Sequence, residues 1–568
     1  MSFLHETRER LIKAIQNGLF PVLEKKENEP EEIDPEKILG RVTLEEPKHR
    51  EHGDFACNIA MAIAKELKES PREIAQQIID NLSEGDIKEA RIEKLEIAGP
   101  GFINIYLKKN WLREVLPVIG QEKESYGSIY KGQGKKVQVE FVSANPTGPL
   151  HVGHSRGAVV GDVLGNILEF CGCEVEKEFY INNAGNQMEL LGKSIYLRLQ
   201  EQQGEEVEFP ADGYQGEYIR DLAQKILEKY GDGLDLHPAR EREALCREFG
   251  YQQLLGGIKE DLKTMGITFD RWFSERSLYE NKMVEKALAL LRRRKFLYEE
   301  DGATWFASSQ FGDEKDRVVI KSDGTYTYFA ADIAYHFDKL KRGYDLIIDV
   351  LGADHHGHIA RMKAAVEAFG YSPEMLEILI VQIVTLWRGD DKVPMSKRAG
   401  EFVTMRDVVE EVGVDAARYF YLMRSPESHM DFDLELAREQ SAKNPVYYLQ
   451  YAHARMMSLF RKAEERGINI PGPGDADLSP LGDEEEPLLR VLVRFPEVVE
   501  ESYDSLSPHF LTVYGHDLAQ AFHAFYNKCP ILTADSEIRE ARMALVSGTH
   551  RVLRNLLKIL GVNAPDQM

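Results

Sequence analysis

The stretch Val137-Gln138-Val139-Glu140-Phe141-Val142-Ser143-Ala144-Asn145-Pro146-Thr147-Gly148-Pro149-Leu150-His151-Val152-Gly153-His154 decides the fold class. Residues 137–142 read as a buried strand, Asn145-Pro146-Thr147-Gly148-Pro149 as a turn, and helical periodicity then runs over about 154–170. A strand over 175–181 and another helix follow. A strand at 345–351, a helix from about His358 and a strand at 376–384 continue the alternation. Strands alternating with helices predict a parallel sheet with helices on both faces.

In such sheets ligands bind at the carboxyl ends of strands, and phosphates favour helix N-termini. His151 and His154 stand at that place, close enough in sequence to reach one phosphate group, and Gly153 leaves room for a nucleotide to approach. The competing reading is a Gly/Pro-rich connector with incidental histidines. Other nucleotide signatures fail. Gly192-Lys193-Ser194 lacks the earlier glycine of a P-loop, since position 187 is Gln187, and Gly132-Gln133-Gly134 lacks the third glycine of a dinucleotide fingerprint. Cys171-Gly172-Cys173 has no partner pair at zinc spacing and reads as core or helix-end cysteines. Far downstream, Val393-Pro394-Met395-Ser396-Lys397-Arg398-Ala399-Gly400 follows a strand and a polar turn. A lysine point charge and a hydroxyl on such a loop suit a departing pyrophosphate.

Around this core the 568 residues divide by texture. Residues 1–118 mix helix and strand: 55–67 are apolar at helical spacing, Ser70-Pro71 starts another helix, and Ala98-Gly99-Pro100-Gly101 turns into an alternating strand. Residues 119–385 hold the α/β pattern, interrupted over about 203–315 by mostly helical, charged sequence. A region over 386–440 carries the Lys397 loop, and 441–568 is helical. No apolar run approaches the roughly 18 residues of a membrane span. The opening Met1-Ser2-Phe3-Leu4-His5-Glu6 lacks the basic-then-apolar order of a signal peptide, and five cysteines are an odd number. The expectation is a cytoplasmic protein with no membrane partner. Lys plus Arg number 71 against 95 Asp plus Glu, a net charge of −24, which at first sight argues against a nucleic-acid partner.

The motifs together reverse that inference. His151-Val152-Gly153-His154 resembles the HIGH box of class I aminoacyl-tRNA synthetases, and Met395-Ser396-Lys397 the heart of their KMSKS loop. Residues 139–149, Tyr180-Ile181-Asn182-Asn183-Ala184-Gly185-Asn186-Gln187, Gly352-Ala353-Asp354-His355-His356 and the ending 560–568 are similar to the bacterial-type arginyl-tRNA synthetase family over essentially the whole chain. Pro394 and Arg398 depart from the first and last KMSKS positions, and Asn183 stands where the family often has Asp.

The resemblance implies a multidomain α/β protein: a Rossmann-like catalytic domain, an α+β N-terminal domain contacting the tRNA elbow, and an all-helical anticodon-binding domain. It implies ATP-dependent attachment of L-arginine to tRNA(Arg) through an arginyl-adenylate, with Mg²⁺ assisting and a monomeric enzyme. His151, His154 and Lys397 would be catalytic; Gly153, Gly352, Asp354, His355, Met395 and Ser396 would contact ATP; Glu140, Asn145, Tyr328 and Asp332 would surround the arginine. A guanidinium is planar, permanently charged and best held by carboxylates. Tyr328 and Asp332 are spaced to share a helix face, although Asp332 alone would also suit a helix N-terminus. His355, His356 and His358 are read as ribose or adenine contacts, with a metal site as the alternative. On the last helix Arg551, Arg554 and Lys558 form a basic stripe for phosphates, and Tyr451, with Tyr447 and Tyr448, offers stacking for bases. A solvated helix face is the competing reading. The net charge is thus a whole-chain average, and RNA binding needs only local basic faces. A small-molecule nucleotidyltransferase shares an HxGH turn but is far shorter, and a non-catalytic tRNA-binding paralogue would not need His151, His154 and Lys397 together. Lys397→Ala should cut turnover by roughly a hundredfold while arginine KM moves less than about threefold; steady-state kinetics showing full turnover would remove the loop from the chemistry.

Overall fold

The computed structural model describes residues 3–25, 34–47, 49–231, 238–394 and 402–568. The alternating stretch builds a five-stranded, all-parallel sheet with spatial order Leu376–Val381, Leu346–Gly352, Lys136–Phe141, Glu174–Ile181, Arg271–Ser274. The chain starts at the central strand Lys136–Phe141, builds outward on one side, and then adds two strands on the other. The order therefore reverses between Lys136–Phe141 and Leu346–Gly352, and the crevice beyond their carboxyl ends is the place for a ligand.

Alternation along the central strand assigns its two faces. Phe141 packs under the helix Val152–Phe170, whereas Glu140 points at the opposite face and meets Lys339 of the helix Tyr328–Lys341. Val152–Phe170 lies unusually close to the sheet because glycines recur along it. A Cβ at Gly161 would fall 2.3 Å from Phe141 Cγ, and one at Gly165 would fall 2.5 Å from Lys177 Cε. Its other contacts are ionic. Arg418, 1% exposed, donates to Asp162 of this helix at 2.6 Å and to the Leu560 carbonyl at the end of the last helix at 3.1 Å.

The sequence reading of three segments needs correction. Residues 55–67 are not one helix: Phe55–Cys57 is a strand, and the helix is Ile59–Leu67. Phe55 pairs with Ile105 and Cys57 with Ile103, so cross-strand partners overrule the local spacing. The single strand expected over 376–384 is two, Leu376–Val381 in the parallel sheet and Val384–Arg388 in a separate sheet with Asp391–Lys392 and Met430–Asp433. The interruption over 203–315 is not only helical. It contains Arg271–Ser274, an edge strand too short for any periodicity to register, and most of an antiparallel sheet of Leu297–Glu300, Ala303–Phe306 and Arg317–Ile320.

The chain forms two compact units. One comprises residues 128–455, 498–519 and 554–568 and holds the parallel sheet. The other comprises 1–127, 456–497 and 520–553. In the second, the strands Leu44–Glu45, Phe55–Cys57, Phe102–Leu107 and Ile92–Ala98 make an antiparallel sheet, and Ser70 closes a capping box with Glu73 at the start of Pro71–Asp80. From Pro445 onward the described secondary structure is helical: Pro445–Glu465, Glu486–Asp504, His509–Lys528 and Ser536–Leu560. Among the described residues no helix is long and apolar enough to cross a membrane. All five cysteines are free and buried. Gly161→Ala should force the helix off Phe141 at a cost of about 1–3 kcal/mol, read as a lower thermal unfolding midpoint; an unchanged midpoint would show that the helix has room to spare.

Candidate functional site

The central strand ends abruptly. Val142 (φ 68°) and Ser143 (φ 41°) both occupy the left-handed region, costly for a β-branched residue, and they swing the chain out of the sheet at the crevice. The Ser143 hydroxyl is thereby placed to donate to Glu140 Oε1 at 2.8 Å. After the turn, His151 caps the helix Val152–Phe170. Its Nδ1 accepts from the Gly153 amide at 3.1 Å, while the His151 amide donates to His154 Nδ1 at 3.4 Å. The two rings stack with centroids 3.7 Å apart. With both Nδ1 atoms accepting, each neutral ring carries its proton on Nε2. Burial pushes both imidazoles below their ordinary range; His154, with His151 beside it, falls to about 3. At neutral pH the pair therefore offers two neutral N–H donors at a helix N-terminus, a combination suited to an anion. Gly153 serves this geometry directly, since a Cβ there would stand 2.9 Å from the His151 ring.

A second strand-like segment flanks the histidines. Val152 donates to the Val403 carbonyl at 3.0 Å, Met405 to Leu150 at 2.8 Å, and His151 pairs with Thr404. Met395, Ser396 and Lys397 themselves lie outside the described residues.

A cleft of about 690 Å³ opens at the reversal of strand order, and its lining brings together Glu140, Asn145, His151, Gly153, His154, Asp332, Gly352, Asp354 and His355. Tyr328 is not among them. It begins its helix, 64% exposed, one turn before Asp332, where no neighbouring turn covers it. Of the other two histidines in that run, His358 lines the cleft and His356 does not. No group of three or more metal-ligand side chains occurs among the described residues.

Beneath the cleft lies a buried charge cluster that sequence reading missed. The register places Asp349 opposite Glu140 on adjacent strands. Lys339, fully buried, bridges them, donating to Glu140 Oε2 and, at 2.6 Å, to Asp349 Oδ1. His336 Nε2 lies 2.8 Å from Asp349 Oδ2, and its Nδ1 2.9 Å from the Asp332 carbonyl oxygen. Glu140 and Asp349 are thus already paired, through Lys339. Asp332 is the carboxylate left over. Burial pushes it up to about 6, with Glu140 and Asp349 adding to the rise and His336 and His355 opposing it. Asp349 was visible in the sequence as a charge inside the apolar run Ile347-Ile348-Asp349-Val350; nothing marked Lys339 or His336.

A second cleft, about 1010 Å³, shares Asn145, His151 and His154 with the first and is walled by Tyr214, Tyr218, Arg198, Arg220 and Phe402. Tyr218 ties this wall to the turn by donating to the Thr147 carbonyl at 2.9 Å. Asn183 is buried away from both clefts, its side-chain Oδ1 accepting from Ser274 Oγ at 3.0 Å and its Nδ2 donating to the Tyr251 hydroxyl at 3.1 Å. On the last helix Arg554 and Lys558 are exposed, and Arg551 is half-buried with Glu124 at 3.4 Å. Tyr451, exposed, stacks on Tyr447 and lies under Arg455 at 5.1 Å.

Comparison with known proteins matches three family models along the chain: arginyl tRNA synthetase N terminal domain over residues 9–107, tRNA synthetases class I (R) catalytic domain over 116–423, and DALR anticodon binding domain over 449–568. The chain is 50% identical to the arginine–tRNA ligase of Carboxydothermus hydrogenoformans over 92% of its own length and 94% of that protein's. It is 47% identical to that of Desulforamulus reducens, covering 98% of each. Among solved structures it superposes on Thermus thermophilus arginyl-tRNA synthetase with TM-score 0.74 and 25% identity, covering 99% of this chain and all of that one.

A cation in the cleft needs Asp332 ionised, and a carboxyl raised to about 6 binds it fully only above that value. Calorimetric affinity for a guanidinium ligand should therefore hold from pH 8 to 7 and weaken as pH falls through about 6; a flat profile down to pH 5 would take Asp332 out of the contact.

Proposed function

Since this chain belongs to the arginyl-tRNA synthetase family, we propose a residue-level account of how it attaches arginine to tRNA at the expense of ATP. The observation that carries the account is the convergence, in one cleft, of two neutral histidine donors and a half-buried carboxylate, Asp332.

The reaction has two steps. The arginine carboxylate attacks the α-phosphorus of ATP in line, forming the adenylate and releasing pyrophosphate; a 3′-terminal hydroxyl of tRNA then attacks the activated carbonyl and releases AMP. We assign the Nε2–H groups of His151 and His154, with the helix N-terminus, to the α-phosphoryl oxygens as charge builds there. Lys397 takes the departing pyrophosphate, beside Met395 and Ser396. Gly352, Asp354 and His355 face the nucleoside from the end of their strand. Asp332 takes the guanidinium, Asn145 the backbone end of the amino acid, and Glu140 adds negative potential from below, tempered by Lys339. Tyr328 reaches the guanidinium only after its ring turns inward. Mg²⁺ keeps most of its waters and binds phosphates readily, so we assign it to the nucleotide, where it supplies charge neutralisation.

The second cleft, opening beside the same histidines with three aromatic rings and two arginines, suits the single-stranded 3′ end of tRNA(Arg), bases stacked and phosphates paired. Arg551, Arg554, Lys558 and Tyr451 extend the RNA contact along the helical part of the chain. A monomer in the cytoplasm completes this reading; the free cysteines support the compartment. The test is arginylation: with ATP and tRNA(Arg), arginine should be charged at least roughly a thousandfold more efficiently than citrulline, which lacks the charge Asp332 requires. Comparable charging of the two, or none of arginine, would overturn the assignment.

A further inference from the structure

Three aromatic rings cluster beside the cleft: Tyr180 near the end of the strand Glu174–Ile181, Phe273 on the edge strand Arg271–Ser274, and Tyr335 on the helix Tyr328–Lys341. Strand register pairs Tyr180 with Phe273, and their rings stack with centroids 6.0 Å apart. Tyr335 closes the triangle, 4.5 Å from Tyr180 and 4.7 Å from Phe273. An aromatic face is negative and attracts a cation lying within about 6 Å of the ring centre. Two of the three rings already hold one. Lys339 Nζ stands 4.4 Å from the centre of Tyr335, and the Arg342 guanidinium carbon 6.0 Å from that of Phe273. Among the described residues no cation lies over Tyr180.

Tyr180 is also the ring that a ligand can reach. Phe273 does not line the cleft; Tyr335 does, but it is 3% exposed and its hydroxyl donates to Glu178. Tyr180 lines the cleft half-buried. Its place is fixed by its backbone, whose amide donates at 3.1 Å to Ser143 Oγ, the hydroxyl that itself donates to Glu140. Asp332 is close by. It precedes Tyr335 by three residues, which makes the two neighbours on the helix surface, and Tyr180 packs on Tyr335. Burial, then Glu275, then Asp332 push the Tyr180 hydroxyl well above its ordinary range. A guanidinium is a flat cation with donors around its edge and two faces that carry none. A carboxylate satisfies the edge and an aromatic ring a face.

We propose that Tyr180 is a second contact for the side chain of the substrate: its ring takes one face of the guanidinium while Asp332 takes the edge. The inference rests on the assignment of Asp332 to the guanidinium and extends it to a residue that carries no charge.

Arginine KM is measured in tRNA arginylation by the full-length protein. Tyr180→Phe, a ring without the hydroxyl, is the reference. Tyr180→Leu should raise KM about tenfold above that reference, with the change carried by KM and not by kcat. Phenylalanines bearing one, two or three ring fluorines, incorporated at position 180, weaken the negative face with almost no change of shape. KM should climb about twofold with each fluorine. A KM independent of fluorination, or a Tyr180→Leu variant no worse than Tyr180→Phe, would overturn the proposal, because a ring that only fills space is indifferent to fluorine. Asp332→Asn reports on the carboxylate separately. An unchanged KM in that variant would remove Asp332 from the contact, whereas a flat fluorine series would remove Tyr180, so the two failures are told apart.

Discussion

Everything at the site is registered on one buried cation. Parallel pairing brings Glu140 and Asp349 side by side on the two central strands, a repulsive arrangement between nearly buried carboxylates. Lys339 resolves it from above, bonded to both. A buried bridge of this kind contributes little net stability, because the three groups give up their hydration to form it. What it fixes is orientation. Asp332, His336 and Lys339 occupy one stripe of the helix Tyr328–Lys341, at successive turns, so anchoring Lys339 over the strands aims His336 at Asp349 and Asp332 into the cleft.

The opposite face of the same strand serves the phosphate end. Glu140 and Phe141 are neighbours in sequence and point to opposite sides of the sheet. One therefore meets Lys339 on one face, and the other bears the helix whose first turn carries His151 and His154. Gly161 lets that helix settle onto Phe141, and Arg418 holds it through Asp162 to the end of the last helix. The left-handed pair Val142 and Ser143 connects the two halves, turning the chain out of the sheet while returning the Ser143 hydroxyl to Glu140. Strain at that corner is the local cost of placing both halves within one substrate's length.

The alternating pattern was legible because strands and helices of ordinary length leave periodic traces, and the histidine turn was legible because its residues are chemically distinctive. Arg271–Ser274 left no trace: four residues on an edge strand are identified by their neighbour, Glu174–Ile181, and not by their own spacing. Phe55–Cys57 was hidden for the same reason, its strand character residing in Ile103 and Ile105. Within the site, Glu140, Asn145 and Asp332 could be named through resemblance, but the pairing of Glu140 could not. That depends on Lys339, which is 199 residues away and looks in sequence like any surface lysine near a helix end. Tyr328 shows the complementary effect: it precedes Asp332 by one turn, but its position in the first turn leaves it exposed and outside the cleft lining.

The cleft must hold an anion and a cation a few ångströms apart without either receptor neutralising the other. Had the phosphate donors been lysines or charged histidines, they would have paired with Asp332 and the acids beneath it in the empty site. Burial removes that conflict by keeping His151 and His154 neutral, so that the proposed phosphate donors carry no charge. In the proposed function the positive charge against the pyrophosphate comes instead from Lys397. The acids beneath are balanced separately: Glu140 and Asp349 share the buried Lys339. Asp332, raised to about 6, sits at the edge of ionisation, where the proposed guanidinium would complete it. A permanent cation can make that completion, whereas an isosteric neutral side chain leaves a half-buried carboxylate unpaired. On the proposed assignment, selectivity for arginine comes from this one local carboxylate, and the net charge of −24 on the chain as a whole has no part in it.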